Sequence, residues 1–251
     1  MAKLEMTRLP ALEYACQEAI NSLCTNLSFF DAEKRVFMIT STKPHEGKSF
    51  ISMNIAMTMA SLGNRVVLVD ADLRRSQVVT SYGIRSMGGK GYGITHYLAG
   101  KCKLGDALYE TNLPGLFMMP VGRAVSNSLA LLKTKCFHET LEKLKETFEF
   151  VIVDAPPIGA IIDAAEIAKS CDGAILVIRY NEVSRQEALE SKLQIERAGC
   201  AVLGAVLNAV DFGSISSKKY YNKSYYTYYT NGYYKPGARM RRRESRAGKE
   251  E

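Results

Sequence analysis

The segment Ser41–Phe50 reads Ser-Thr-Lys-Pro-His-Glu-Gly-Lys-Ser-Phe and has the residue types and spacing that bind nucleotide phosphates. Its Gly-Lys-Ser step ends the pattern G-x-x-x-x-G-K-[ST], with Thr42 in place of the usual first glycine. We expect Lys48 to reach the β- and γ-phosphate oxygens and Ser49 to hold Mg²⁺, while backbone N–H groups cradle the phosphates. The residues expected to contact the nucleotide here are Lys43, Glu46, Gly47, Lys48, Ser49 and Phe50. The alternative is a Gly-Lys-Ser step that precedes a helix by chance.

Three aspartates at the ends of apolar runs could supply the remaining chemistry of phosphoryl transfer. Asp70 and Asp72 follow the run Val66–Val69, and Asp154 follows the run Phe150–Val153. Asp154 suits the role of holding Mg²⁺, directly or through water. Asp70 or Asp72 could complete the Mg²⁺ shell and accept the proton of an attacking hydroxyl. The alternative for each aspartate is a cap on the following helix.

The elements around the phosphate-binding loop agree with this chemistry. The apolar run Arg35–Thr40 predicts a buried strand before the loop, and Ile51–Leu62 predicts a helix after it, with Gly63 as its stop. Carboxyl ends of strands are where open α/β sheets bind ligands, so the loop and the three aspartates are expected to meet at one edge.

Strands and helices alternate along the rest of the chain. Further helices are predicted near Leu9–Phe29 and over Ala130–Phe148 and Ser184–Ala198, and Gly88–Gly93 is read as a flexible loop. The remaining predicted strands are Leu116–Pro120, Ala174–Ile178 and Val202–Leu207. The pattern predicts an α/β fold with a mostly parallel, doubly wound sheet.

Composition narrows the class of protein. A chain of 251 residues is long enough for one α/β domain, and no apolar run approaches the length of a membrane span. The start of the chain lacks the apolar stretch of a secretory leader. Six cysteines without a C-x-x-C pair indicate reduced thiols in a cytoplasm, and three scattered histidines argue against zinc chemistry.

All of the net charge of +7 lies at the C-terminal end. From Phe212 onward there are ten Lys or Arg and three Glu, whereas the preceding residues hold twenty-three of each sign. The same low-complexity stretch contains paired tyrosines and is expected to be disordered when free. These tyrosines are Tyr220, Tyr221, Tyr225, Tyr226, Tyr228, Tyr229, Tyr233 and Tyr234. We therefore divide the chain into an N-terminal helical segment (1–34), a nucleotide-binding domain (35–211) and a tyrosine-rich basic tail (212–251).

Together these motifs resemble the bacterial tyrosine kinases of capsule and exopolysaccharide systems, within the deviant P-loop NTPases that include septum-positioning and partition ATPases. Ser41–Ser49 resembles their Walker A motif, Val67–Arg74 their Walker A′ motif and Phe150–Pro157 their Walker B motif. The tyrosine cluster is the family's other hallmark. The resemblance runs from about Glu18 to Tyr234.

The resemblance implies roles for single residues. Lys48 would bind the phosphates of ATP, Ser49 and Asp154 would serve Mg²⁺ with Asp72 in its shell, and Asp70 would act as the base. Asn208 matches the position that contacts adenine. Lys43 resembles the signature lysine of the septum-positioning and partition ATPases, which reaches into a partner's nucleotide site; the alternative is an ordinary solvated lysine. The eight tyrosines would be autophosphorylated by a neighbouring subunit.

The resemblance also implies partners and a location. A separate transmembrane activator would recruit the cytoplasmic kinase to the inner face of the cell membrane, and a tyrosine phosphatase would reverse the reaction. The chain departs from the family at two places. The ring-forming pattern Glu-x-x-Arg-x-x-Arg here has Glu18, Asn21 and Cys24, and the Pro-Asn-Pro-x-Glu-Leu-Leu loop reads Ser-Asn-Ser-Leu-Ala-Leu-Leu at Ser126–Leu132. Weaker self-association or a different docking surface would follow.

Two other functions fit parts of the sequence. A partition or septum-positioning ATPase, cycling on DNA or membrane, would use Lys43, and a basic, aromatic tail could bind single-stranded nucleic acid. Such ATPases transfer phosphate to water and have no use for eight tyrosines, so a nucleic-acid partner is not expected. A regulatory subunit that only binds nucleotide would leave the carboxylates idle.

Overall fold

A nine-stranded sheet forms the centre of the molecule, in a computed structural model that describes residues 2–30 and 33–210. In chain order the strands are β1 (Lys3–Met6), β2 (Val36–Ser41), β3 (Val66–Asp70), β4 (Ile84–Ser86), β5 (Tyr109–Thr111), β6 (Leu116–Met119), β7 (Phe150–Asp154), β8 (Gly173–Arg179) and β9 (Val202–Asn208). Across the sheet their order is β4-β1-β5-β6-β3-β7-β2-β8-β9. The pairs β1–β4 and β5–β6 are antiparallel, and the other pairs are parallel.

Helices cover both faces of this sheet. They are α1 (Tyr14–Ser28), α2 (Lys48–Ser61), α3 (Val78–Ser81), α4 (Ile94–Leu98), α5 (Leu104–Ala107), α6 (Ser128–Leu132), α7 (Lys135–Thr147), α8 (Asp163–Ala168) and α9 (Arg185–Arg197). Because side chains alternate along a strand, β2 gives Val36 and Met38 to one core and Phe37 and Ile39 to the other. The first core includes residues of α7, α8 and α9, and the second includes residues of α1 and α2. The predicted doubly wound α/β architecture is confirmed.

The central strands follow the apolar runs of the sequence. Strands β2, β3 and β7 are almost wholly buried, which is typical of parallel strands covered on both faces. Their carboxyl ends lie side by side, and Asp70 at the end of β3 is in register with Asp154 at the end of β7. The sheet thus brings the predicted aspartates to one edge.

Two sequence predictions need correction. The single helix predicted over Ala130–Phe148 is two helices, α6 and α7, because Thr134 has extended backbone (ψ 145°) and interrupts the helical path. The predicted N-terminal helix begins only at Tyr14, and the residues before it form β1 at the antiparallel side of the sheet. The N-terminal residues thus belong to the same compact unit, which extends to Ala209.

The tyrosine cluster and the basic residues after Met240 lie outside the described residues. Among the helices that the structure describes, none is long and apolar enough to cross a membrane.

Candidate active site

The phosphate-binding loop (P-loop, Ser41–Ser49) connects β2 to α2 as the sequence predicts. Gly47 caps the helix in the left-handed region (φ 92°), and a Cβ there would lie 2.1 Å from Asn208 Nδ2, so both conformation and space favour glycine. Asn208 Nδ2 donates to the Glu46 carbonyl oxygen over 2.8 Å. The end of β9 is therefore fastened to the loop, and the predicted adenine-contact residue lies directly beside it.

The side chain of Glu46 holds the loop's shape. It is buried, and its two carboxylate oxygens accept from the backbone N–H groups of Lys43 (2.6 Å) and Arg179 (3.0 Å). The carboxylate thereby ties the loop to β8 and replaces part of the turn geometry that the usual first glycine provides. Because these oxygens serve the protein backbone, a nucleotide contact of Glu46 would be made by its main chain.

Lys48 and Ser49 begin α2 beside the carboxylates. Lys48 Nζ lies 3.5 Å from Asp72 Oδ2, and both side chains are largely buried. Ser52 Oγ lies 3.0 Å from Asp154 Oδ1, and a hydrogen bond from Ser49 reaches the same carboxylate. The structure brings these predicted residues together at the start of one helix.

The electrostatics of the three aspartates differ. Burial raises the pKa of Asp70 well above its usual range, the negative charge of Asp154 raises it further, and a hydrogen bond from Ser76 Oγ to Asp70 Oδ2 opposes the shift. Burial also raises the pKa of Asp154, against the nearby charge of Lys48 and the two serine hydrogen bonds. Asp72 instead has Lys48 as a close cationic partner.

Two buried oxygens at this edge have no hydrogen-bond partner among the described residues, Asp70 Oδ1 and Asp154 Oδ2. Buried unpaired carboxylate oxygens are costly, and a hard divalent cation prefers such ligands. Asp154 Oδ2, the Ser49 hydroxyl and Asp72 therefore fit Mg²⁺ held together with nucleotide phosphates.

Lys43 is bound within its own chain. Its Nζ lies 2.7 Å from Glu187 Oε1 and donates to the Glu182 carbonyl oxygen over 3.2 Å. The hydrogen bond from Lys43, together with bonds from Ser184, lowers the pKa of Glu187 to about 2. The predicted contact of Lys43 with a nucleotide stays a prediction. Phe50, also predicted at the nucleotide, is 37% exposed on α2.

One ion pair beside the site, between the partly exposed Arg74 and the buried Asp163, was not predicted from the sequence. Arg74 Nε lies 2.9 Å from Asp163 Oδ2, and Asp163 is 2% exposed. Ser128 Oγ donates to the same oxygen, and Arg74 Nε donates to Ser128 Oγ over 2.7 Å. The departing loop Ser126–Leu132 thus supplies a partner for the ion pair. In the sequence, the Asp-x-Asp-x-Arg spacing at Asp70–Arg74 is the one signal that could have indicated this role of Arg74.

The fold and this site define a P-loop nucleotide-binding protein, and a family model described as an AAA domain matches residues 34–193. The relatives narrow the class: the chain belongs to the bacterial tyrosine-protein kinases and is a protein-tyrosine kinase. It is 37% identical over 212 residues to tyrosine-protein kinase CpsD of Streptococcus agalactiae serotype III (strain NEM316), covering 82% of this chain and 90% of the relative.

Solved structures agree with this assignment. The kinase domain of Escherichia coli tyrosine kinase ETK matches with a TM-score of 0.74 and 28% identity, covering 85% of this chain and 91% of that chain. The septum site-determining protein MinD from Pyrococcus horikoshii OT3, complexed with Mg-ADP, matches with a TM-score of 0.60 and 25% identity, covering 69% of this chain and 70% of that chain. The predicted relation to both groups of P-loop proteins is confirmed.

Proposed function

We propose that this kinase uses Mg²⁺-ATP to phosphorylate the tyrosine cluster of a neighbouring copy, and that the modification regulates synthesis and export of a capsular or extracellular polysaccharide. The observation that carries the proposal is one site where Lys48, Ser49 and three aspartates converge, with two carboxylate oxygens left without partners. The same chain holds eight clustered tyrosines.

In the proposed reaction, a tyrosine oxygen forms a bond to the γ-phosphorus of ATP while the bond from that phosphorus to the β–γ bridging oxygen breaks. ADP leaves, and the phenolic proton passes to Asp70, whose raised pKa suits a proton acceptor. Lys48 binds the β- and γ-phosphates, and Ser49, Asp72 and Asp154 hold Mg²⁺, which offsets phosphate charge when bound. Gly47 and Phe50 belong to the loop and helix start that cradle the phosphates, and Asn208 contacts adenine.

The charge of the tail gives the modification a physical effect. Each phosphotyrosine carries about −1.5 to −2 charges, so eight of them would take the tail from +7 to roughly −5 to −9. An unmodified tail favours acidic surfaces, and a modified tail is repelled by them. The modification therefore acts as a graded electrostatic switch on binding to neighbours.

The proposed partners follow from membership of the family. A separate transmembrane activator recruits the kinase to the inner face of the membrane and stimulates it, neighbouring kinase copies exchange phosphate, and a tyrosine phosphatase resets the tail. Nucleic acid is not among the proposed partners.

An anti-phosphotyrosine assay on purified protein tests the proposal, with and without a candidate activator's cytoplasmic segment and beside Lys48→Met. We expect Mg²⁺-ATP to label the full chain and the label to vanish in Lys48→Met, because the phosphates lose their cationic ligand. If ATP is consumed and no tyrosine is labelled under either condition, a partition-type ATPase replaces the proposal. Salt-dependent DNA or lipid binding would then be measured.

A further inference from the structure

The two oxygens of the Asp70 carboxylate have different surroundings. Oδ2 accepts a hydrogen bond from Ser76 Oγ, whereas Oδ1 is buried and has no partner among the residues that the structure describes. Asp70 is fully buried at the end of β3, in register with Asp154 on the neighbouring strand. The protein thus occupies one oxygen of this carboxylate and leaves the other without a partner.

A second hydrogen bond fixes the orientation of the Ser76 hydroxyl. Its oxygen accepts from the Val78 backbone N–H over 3.3 Å, which occupies one lone pair. An ionised carboxylate can only accept, so the hydroxyl proton of Ser76 lies on the bond to Asp70 Oδ2. The hydroxyl is therefore held as a donor to one particular carboxylate oxygen.

The main chain around Ser76 is held on both sides. Before it, the Arg75 N–H donates to Asp72 Oδ1 over 3.1 Å, and the Ser76 N–H itself donates to the Asp72 carbonyl oxygen over 3.1 Å. After it, Val78 begins α3 and is buried in the second of the two cores. Because the backbone is fixed in this way, the Ser76 hydroxyl has a defined position from which to bind Asp70.

The hydrogen bond from Ser76 selects one orientation of the Asp70 carboxylate. The terminal torsion of an aspartate side chain is broad and roughly two-fold, so the side chain alone does not distinguish Oδ1 from Oδ2. A proton acceptor must lie within hydrogen-bond reach of the proton that it takes, and its own rotamer has to be locked by neighbouring groups. Ser76 is the neighbour that supplies this constraint at Asp70.

We propose that Ser76 is a positioning residue for phosphoryl transfer, which binds Asp70 Oδ2 and thereby presents Oδ1 as the oxygen that takes the phenolic proton. The proposal rests on the proposed function, since it deepens the role given there to Asp70. In the transfer step the O–H bond of the acceptor tyrosine breaks and its proton binds Oδ1, while Ser76 keeps its own proton. Ser76 therefore acts on the reaction through Asp70.

Removing and restoring the hydroxyl tests the proposal, with the full-length kinase and a synthetic peptide of residues 220–234 as acceptor. Ser76→Ala should lower kcat about tenfold, which is part of the roughly 10²–10⁴-fold that a positioned base supplies, and should leave the KM for ATP unchanged. Ser76→Thr keeps a hydroxyl at a half-buried position and should stay within about twofold of the unmodified kcat. Ser61→Ala is the matched control, because Ser61 Oγ bonds to the Thr58 carbonyl oxygen at the far end of α2, and it should leave kcat unchanged.

A second acceptor peptide distinguishes positioning of the base from a general structural role. Tetrafluorotyrosine in place of each tyrosine makes the phenols more acidic, so that they are largely ionised at neutral pH and bring no proton to be taken. With this peptide the loss of kcat in Ser76→Ala should shrink to about twofold or less, and the loss in Asp70→Asn should also be reduced. A general distortion of the site would instead lower the labelling of both peptides equally.

The results that would overturn the proposal differ from those that would overturn the proposed function. An unmodified kcat in Ser76→Ala, a kcat of Ser76→Thr as low as that of Ser76→Ala, or an equal loss with both peptides would each rule out the positioning role of Ser76 alone. If Asp70→Asn labels the unfluorinated peptide at the unmodified rate, the base named in the proposed function fails, and Ser76 fails with it. If the unmodified kinase labels neither the peptide nor the tail of another copy, the proposed function as a whole fails.

Discussion

The three aspartates grouped around Lys48 have different electrostatic partners, although all lie at or just after the ends of strands. Asp72 has Lys48 Nζ at 3.5 Å, whereas Asp70 and Asp154 each keep a buried oxygen without a partner in the described residues. Buried carboxylate oxygens without a partner, at the site proposed to bind Mg²⁺, cost stability until a cation binds. We therefore expect the free energy of unfolding of the ligand-free protein to be lower than that of the protein with a cation bound at this site.

Replacing Asp70 with asparagine should stabilise the ligand-free protein while abolishing kinase activity. The change removes a buried charge beside Asp154 and keeps a hydrogen-bonding oxygen for Ser76. A gain of about 1 kcal/mol would raise Tm by roughly 2–4 °C for a domain of this size. Thermal unfolding in EDTA measures it. Asp72→Asn is the control and should give no gain, because Asp72 is already paired with Lys48; equal gains in both variants would contradict this explanation.

The same carboxylates should make stability depend on pH. Because the folded state raises the pKa of Asp70 and Asp154, it binds more protons than the unfolded chain above the ordinary carboxyl pKa of about 4. The free energy of unfolding should then decrease as pH rises from about 4 toward the raised pKa of these carboxyls in Mg²⁺-free buffer. The lowered pKa of Glu187, about 2, acts only at more acidic pH. Urea unfolding at several pH values tests this, and a slope unaffected by Asp70→Asn would contradict it.

For single residues, the sequence predicted which chemical groups lie together at the site. It did not predict which side chains form hydrogen bonds with those groups. A Gly-Lys-Ser step and strand-end aspartates have recognisable spacing, so Lys48, Ser49 and Asp154 could be assigned to one edge. The serines that contact the carboxylates, Ser52 and Ser76, have no spacing signature because the contacts depend on the exact turn of α2 and of the loop after β3.

Between elements, the ion pair of Arg74 and Asp163 joins the loop after β3 to the start of α8. Asp163 is almost fully buried, whereas Arg74 is 36% exposed. Removing the arginine leaves a buried carboxylate with Ser128 alone, and removing the carboxylate leaves a cation that can reach water. Breaking a buried pair is most costly when the remaining charge stays buried.

Arg74→Met should therefore lower Tm more than Asp163→Asn. Both variants should also lower kcat more than they raise the KM for ATP, because the segment that follows Asp70 and carries Asp72 is no longer held to α8. Thermal unfolding and steady-state kinetics at several ATP concentrations measure the two effects. Lys192→Met, which breaks an exposed pair with Glu196 on α9, is the control and should change neither. A larger Tm loss in Asp163→Asn would contradict the argument.

Most of the strands were predictable from continuous apolar runs in the sequence. Such runs identified β2, β3, β7 and β8, which are covered on both faces, and also β6 and β9, although β9 is not buried as the notion of a core strand would imply. Strands β1, β4 and β5 have only three or four residues and mixed composition, and they form through pairing with distant segments. Propensity alone also could not show that Thr134 divides a helical pattern into two helices.

At the scale of the whole molecule, the packing of α1 shows the consequence of having Asn21 and Cys24 where the family's ring-forming pattern has arginines. Cys24 is buried and its Sγ approaches the Ile55 carbonyl oxygen at 3.8 Å, whereas Asn21 is only half-buried and hydrogen-bonds to Glu18 and Gln17. In this chain position 24 therefore packs against α2 and does not face outward. A family-type arginine contact between subunits at that position is incompatible with the packing of α1.

Introducing the family's arginines at positions 21 and 24 should have different effects on folding stability. Cys24→Arg places a charge among buried apolar residues and should cost at least about 3 kcal/mol of folding free energy. Asn21→Arg should be tolerated within about 0.5 kcal/mol, because the side chain can extend into water. Chemical denaturation measures stability, and sedimentation measures self-association. If Cys24→Arg is stable and forms larger assemblies, the orientation of α1 proposed here is wrong.

This chain is proposed to move phosphate from ATP to the tyrosines of the C-terminal segment of another copy. The most direct measurement is mass spectrometry of the acceptor chain, Lys48→Met with an intact tail, after incubation with Mg²⁺-ATP and a catalyst chain lacking tail tyrosines. We predict phosphate on tyrosines between residues 220 and 234, and none when the catalyst also carries Lys48→Met. An acceptor without phosphotyrosine, beside a catalyst that hydrolyses ATP, would contradict the account.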